Sequence, residues 1–209
     1  MRKWPKDIFV TGIGTNVGKT IVSAILVEAL QADYWKPVQS GLDRDSDTVK
    51  RLLLNDHSLI FDEAYSLKAA LSPHAAAQRE GKKISLAAIK LPANQGDNLI
   101  IEGAGGVLAP LNDEEVIIDI AAKFNAEIIL VSNHYLGSIN HTLLTCNELK
   151  RRNLKVKGIV FNGVPNKDSE DIILKKTGYK CLLRILPEEN FDEELVNKYA
   201  IKLFDNWND

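Results

Sequence analysis

The residues Gly12-Ile13-Gly14-Thr15-Asn16-Val17-Gly18-Lys19-Thr20 constrain this chain more than any others. They follow a short β-branched apolar run, Ile8-Phe9-Val10-Thr11, and precede a segment with Ile21, Val22, Ile25, Leu26 and Leu30 at helical spacing. A glycine-rich turn between a strand and a helix gathers backbone N–H groups into one concavity, and the helix N-terminus adds positive potential there. The motif therefore predicts a phosphate-binding loop. Lys19 reaches the β- and γ-phosphates of a nucleoside triphosphate, and the Thr20 hydroxyl ligates Mg²⁺. The expected nucleotide cradle is Gly14, Asn16, Val17, Gly18, Lys19, Thr20 and Ile21. Gly12 stands one residue farther from Gly18-Lys19-Thr20 than the strict pattern asks, because Ile13 takes the expected glycine position.

Downstream, short apolar runs alternate with longer helical patterns. Tyr34-Trp35-Lys36-Pro37-Val38, Leu99-Ile100-Ile101-Glu102, Ile128–Val131, Val156–Phe161 and Leu182–Leu186 read as strands, and stretches around 115–124, 139–152, 168–177 and 192–204 as helices. This alternation predicts an α/β fold: a mostly parallel sheet with helices on both faces, as one domain over 1–209. Ligands of such a sheet sit at the carboxyl ends of its strands. The least regular stretch, 39–83, is where a functional loop is expected. A formal net charge of −2 with mixed signs argues against a nucleic-acid-binding face. Two cysteines, Cys146 and Cys181, are too few for a disulfide scaffold and lack metal-ligand spacing. The charged N-terminus, Met1 to Asp7, is no signal peptide, and no apolar run approaches a membrane span. A soluble cytoplasmic protein is expected.

Three further residues sit where chemistry is done. Glu102 ends an apolar run and precedes Gly103-Ala104-Gly105-Gly106, so it lies at a strand's carboxyl end beside glycines that admit a ligand closely. Asp47 reads either as a metal ligand or, with Ser46, as a helix N-cap. Lys36 ends a strand beside Pro37, as an anion-binding group or a solvated lysine. Tyr34 and Trp35 are read as strand packing. His57, His74, His134 and His141 show no metal spacing.

In order and spacing, the phosphate loop, Lys36-Pro37-Val38-Gln39-Ser40-Gly41, Ser46-Asp47, Ser72-Pro73-His74, Glu102–Gly106, Leu136-Gly137-Ser138-Ile139-Asn140-His141 and Asn162-Gly163-Val164 resemble the dethiobiotin synthetases. These are the Mg²⁺- and ATP-dependent carboxylase-cyclases of biotin synthesis, and the likeness runs from about residue 7 to about 190. The resemblance implies Lys36, Lys19 and Thr15 as catalytic residues, with Thr15 and Ser40 beside a diaminopelargonic acid substrate. It implies Thr20, Asp47 and Glu102 as Mg²⁺ ligands, and Asn162 with backbone near Ile185–Pro187 at the adenine. Leu136–Asn140 would hold the substrate carboxylate of a partner subunit, hence a homodimer. Three departures stand out: Asn16 for a frequent glutamate, Val107 for a frequent aromatic residue, and Ser138 for a frequent cysteine. Two other classes share the phosphate loop. Partitioning or metal-insertion ATPases carry an extra lysine near the loop's start that is absent here, and amidating ligases of the cobalamin type need a glutaminase half.

Overall fold

The computed structural model of the chain describes residues 6–93 and 98–207. The reading of the extreme N-terminus falls on residues 1–5, outside the described residues. The strands are β1 (Asp7–Gly12), β2 (Asp33–Trp35), β3 (Val38–Ser40), β4 (Ile60–Phe61), β5 (Tyr65–Leu67), β6 (Leu99–Gly106), β7 (Glu127–Asn133), β8 (Val156–Asn162) and β9 (Cys181–Ile185). The helices are α1 (Lys19–Leu30), α2 (Asp45–Arg51), α3 (Pro73–Arg79), α4 (Ile118–Phe124), α5 (Ser138–Arg151), α6 (Lys167–Thr177) and α7 (Glu193–Asn206).

Seven strands form a parallel sheet in the order β4-β2-β6-β1-β7-β8-β9, with β1 between β6 and β7. The central strands are apolar at successive positions because both faces of the sheet are covered. Ile8 and Val10 of β1 pack with Val22, Ile25 and Leu26 of α1 and Leu203 of α7, whereas Phe9 packs with Ile118 of α4 on the opposite face. The alternation follows from the two-residue period of a strand. No helix among the described residues is long and apolar enough to cross a membrane.

The run from Tyr34 to Val38, expected as one strand, is two. β2 pairs with β6 and β4 in the main sheet, while β3 pairs only with β5 in a separate two-stranded sheet. Pro37 is the physical reason, since it has no N–H for a ladder and disfavours continuation of the central strand. Lys36 sits at that break. The irregular stretch 39–83 turns out to hold β3, β4, β5, α2 and α3, elements too short to leave a periodic signature.

The sheet's far edge depends on a missing side chain. A Cβ added to Gly158 of β8 would lie 2.6 Å from Leu182 Cγ and 2.7 Å from the Lys180 carbonyl oxygen. Backbone cannot yield as a side-chain tip can, so Gly158→Ala should cost about 1–3 kcal/mol of stability. Urea denaturation reads this directly, and an unchanged midpoint would mean that β9 shifts at no cost.

Candidate active site

The phosphate loop is held by the strands on either side. Ile13 N–H donates to the Val131 carbonyl at 3.1 Å, so the extra residue of this motif extends the β1–β7 ladder and leaves the turn at Gly14–Gly18. Gly18 adopts φ +100, and a Cβ there would meet Asn162 Nδ2 at 2.4 Å. Asn162 Nδ2 in turn donates to the Val17 carbonyl at 2.9 Å, bracing the loop from the end of β8. Asn16 takes φ +58, a left-handed conformation that asparagine tolerates better than most residues. The Val17 side chain is buried in the core, so only its backbone can serve a ligand.

Lys19 is buried, and its ammonium donates to the Gly14 carbonyl at 2.9 Å. Burial pulls its pKa down to about 8, against the opposing pull of Glu102. Thr20, one residue along, donates its hydroxyl to Glu102 Oε1 at 3.1 Å. Glu102 lies on β6 and is 1% exposed, so its charge requires partners. It has three: Thr20, the Lys36 ammonium at 2.9 Å on the same oxygen, and the Tyr34 hydroxyl at 3.0 Å on Oε2. Lys36 also donates to Asp45 Oδ2. Burial acts to lower the Lys36 pKa, but the Glu102 and Asp45 carboxylates outweigh it, so the group is raised and stays an ammonium.

The structure brings Asp45, and not Asp47, to Lys36. The Asp47 side chain is 70% exposed and stands 4.0 Å from Arg44, away from the cluster, and Asp45 takes the inward position. Two residues along a helix turn the side chain by about 200°, so both cannot face one site. The phase of α2 is pinned by Glu63, which accepts from Arg44 Nη2 at 2.7 Å and from Ser46 Oγ at 2.7 Å. A sequence signal for this existed. Asp45 lies four and seven residues before Val49 and Leu52, both buried, and so shares their face, whereas Asp47 does not. Tyr34, read as strand packing, is buried in the core as expected, and its hydroxyl additionally donates to Glu102, a contact that the sequence did not single out.

Lys19, Thr20, Lys36, Asp45 and Glu102 line a cleft of about 780 Å³ at the carboxyl ends of β1, β2 and β6. Thr15, Asn16, Gly18 and Ile21 line it from the loop and α1, with Ser40, Ser72 and Pro73 beyond Lys36. Gly105, at φ +68, lies where a Cβ would be 3.7 Å from Thr15 Oγ1, so the glycine keeps the cleft open beside Thr15. His74 is exposed and engages Ser72 Oγ at 3.1 Å. Val107 is 6% exposed and belongs to the core. The described residues contain no group of three or more His, Cys, Asp or Glu side chains able to hold a metal alone. Two carboxylates and a hydroxyl beside a phosphate loop do suit Mg²⁺, which usually takes one or two carboxylates and completes its shell with substrate phosphates and water.

The remaining expected residues lie outside the cleft. Leu136 is fully exposed before α5, and Gly137 enters that helix at φ +105. Ser138, whose carbonyl accepts from Thr142, is buried. Tyr135, Leu136, Ile139, Leu143 and Val164 line a second cavity of about 740 Å³. Ile185 is tied to the turn after Asn162 by Gly163 N–H at 2.9 Å, and Leu186 N–H is held by the Tyr199 hydroxyl at 3.1 Å. His134 engages Glu170 at 3.2 Å and stacks on Phe161, while His141 contacts the Tyr135 hydroxyl at 2.6 Å, so both have structural partners.

Comparison with known proteins agrees with this geometry. A family profile described as an AAA domain matches residues 6–194. The ATP-dependent dethiobiotin synthetase BioD of Cytophaga hutchinsonii is 64% identical over 203 residues, 97% of this chain and 98% of that protein. The enzyme of the same name from Christiangramia forsetii is 50% identical over 95% of this chain and 96% of its own length. Among solved structures, the septum site-determining protein MinD of Pyrococcus horikoshii, complexed with Mg-ADP, superimposes with a TM-score of 0.59 at 16% identity, covering 97% of this chain and 96% of that one. A ParA family ATPase from Chlorobium tepidum does so at 0.56 and 13%, over 98% and 97% of the two chains. Those two likenesses show the phosphate-loop fold alone. With Lys19, Thr20, Lys36, Glu102 and Asp45 on one cleft and such identity over nearly the whole chain, the protein belongs to the ATP-dependent dethiobiotin synthetase family.

Proposed function

We propose that the chain, as one domain, is a cyclo-ligase that uses ATP to carboxylate 7,8-diaminopelargonate and close its ureido ring, giving dethiobiotin, ADP and phosphate. The observation that carries the reading is Lys36, a second buried ammonium that lines the cleft and meets Thr20 of the phosphate loop on the same Glu102 oxygen. One amine of the substrate adds to CO₂ and loses a proton, forming a carbamate. A carbamate oxygen then attacks the γ-phosphorus while the β–γ bond breaks to release ADP. The second amine attacks the carbonyl of the resulting carbamic–phosphoric anhydride, and phosphate departs with the C–O bond as the ring closes.

The electrostatic difficulty is bringing a carbamate anion to a polyanionic phosphate. Lys19, Lys36 and the loop amides supply fixed positive charge at that meeting point, and Thr15 and Ser40 line the cleft where the diamine would lie. Thr20, Glu102 and Asp45 would hold Mg²⁺, which supplies charge neutralisation on the β- and γ-phosphates. Lys36 spans Asp45 and Glu102, so those two carboxylates are placed to share one cationic partner. Asn162 and the segment from Ile185 to Pro187 are the proposed base contacts. A cytoplasmic setting belongs to the same proposal and fits two free cysteines, one of them buried.

A homodimer, with Leu136–Asn140 meeting the partner's substrate carboxylate, is supported by the exposed Leu136 and by the start of α5, which has no side-chain cap. Sedimentation showing a fully active monomer would remove it.

The reaction is tested by phosphate release from MgATP with and without 7,8-diaminopelargonate and bicarbonate, with mass detection of the product. Diamine-dependent release with one added carbonyl is expected, and diamine-independent hydrolysis would favour an ATPase switch. Lys36→Gln keeps a donor for the carboxylates but removes the charge. It should lower kcat by roughly 100-fold or more, as loss of one transition-state donor does elsewhere, while nucleotide affinity changes little. Normal turnover would sink the role given to Lys36. Asp45→Asn should raise the Mg²⁺ concentration for half-maximal activity by about 10-fold or more, with Asp47→Asn near wild type. The reverse order would return the metal to Asp47.

A further inference from the structure

We propose that Tyr34 is a positioning residue that orients the Glu102 carboxylate for the divalent cation of the bound nucleotide, an inference that rests on the metal assignment above. Tyr34 is 0% exposed and pairs in register with Ile100, two residues before Glu102 on the neighbouring strand. Residues two apart on a strand share a face, so the tyrosine ring lies beside Ile100 and its hydroxyl reaches along β6 to the carboxylate. The contact is 3.0 Å and falls on Oε2. The other two donors, Thr20 and Lys36, both fall on Oε1.

That division of labour is the substance of the inference. Thr20 and Lys36 line the cleft, and a cation taking Oε1 must displace their hydrogen bonds. Tyr34 does not line the cleft, and its bond is the one that can persist when a ligand enters. With Oε2 held, the carboxylate cannot swing about its terminal torsion, and Oε1 stays presented to the phosphate loop. Groups that hold a metal's ligands in this way are typically worth 10–100-fold in metal affinity.

The test is Tyr34→Phe, read by Mn²⁺ binding in electron paramagnetic resonance titrations on protein saturated with a non-hydrolysable ATP analogue, which also holds the variant folded by mass action. Mn²⁺ affinity should fall about 10-fold or more, while metal-free affinity for the analogue, followed by fluorescence, stays within about 2-fold. In a Glu102→Gln background, where no charged carboxylate remains to be oriented, Tyr34→Phe should change Mn²⁺ affinity by less than about 2-fold. An unchanged Mn²⁺ affinity in the single variant overturns the proposal. So does an equal loss in both backgrounds, or a variant that no longer binds the metal-free analogue, because each describes a merely structural tyrosine. The titration involves no diamine, so a wild type that forms no dethiobiotin would sink the proposed reaction and leave this result standing.

Discussion

The structure is organised around a carboxylate that cannot be left alone. Glu102 sits near the middle of a parallel sheet, midway along β6, which runs on to Gly106 rather than ending at the glutamate, and burial of an unpaired charge there would cost several kcal/mol. Its three donors come from three places in the chain: Thr20 from the first turn of α1, Tyr34 from β2, and Lys36 from the break after β2. Each can reach Glu102 only if its element is in register. The phosphate loop must deliver α1 at the right depth, β2 must pair with β6 at Tyr34↔Ile100, and Pro37 must end β2 where Lys36 faces inward. Satisfying one charge thus aligns the elements that form the cleft.

Lys36 explains how two carboxylates can be brought together in such a site. Two carboxylates, Asp45 and Glu102, would repel each other and resist burial, and one ammonium between them removes both problems. The ammonium and both carboxylates line the cleft, so the pairing that fixes these three elements is also part of the surface an anion would meet.

Much of this was legible in the sequence because the signals were local. The strand–glycine–helix grammar around Gly12–Thr20 located the phosphate loop, and apolar runs located β1, β6, β7, β8 and β9. What failed was non-local or depended on phase. Asp45 and Asp47 differ by two residues in a seven-residue helix, and the burial of Val49 and Leu52, together with the distant Glu63 that accepts from Arg44 and Ser46, sets which one turns inward. Tyr34 looks like any strand aromatic until β2 is paired with β6, because the partner that gives its hydroxyl a role is 68 residues away. The split of β2 from β3 was signalled by Pro37 but not where β3 would go, since its three-residue partner β5 carries too little pattern to be read.

Fold likeness and site likeness also separate here. The MinD and ParA structures align over nearly the whole chain at 16% and 13% identity, which fixes the sheet and the loop and little else. Their shared feature, a strand feeding a glycine-rich turn and a helix, binds phosphate through backbone N–H groups and so tolerates almost any sequence around it. Lys36 is of another kind. Its position depends on a strand that stops at one residue, on a carboxylate buried in the next strand and on the phase of a short helix, and none of these is required by phosphate binding. Binding one polyphosphate through loop amides does not by itself call for a second buried ammonium held by two carboxylates on the same cleft. Bringing two anions together does, and the cost of burying that ammonium is met by Asp45 and Glu102.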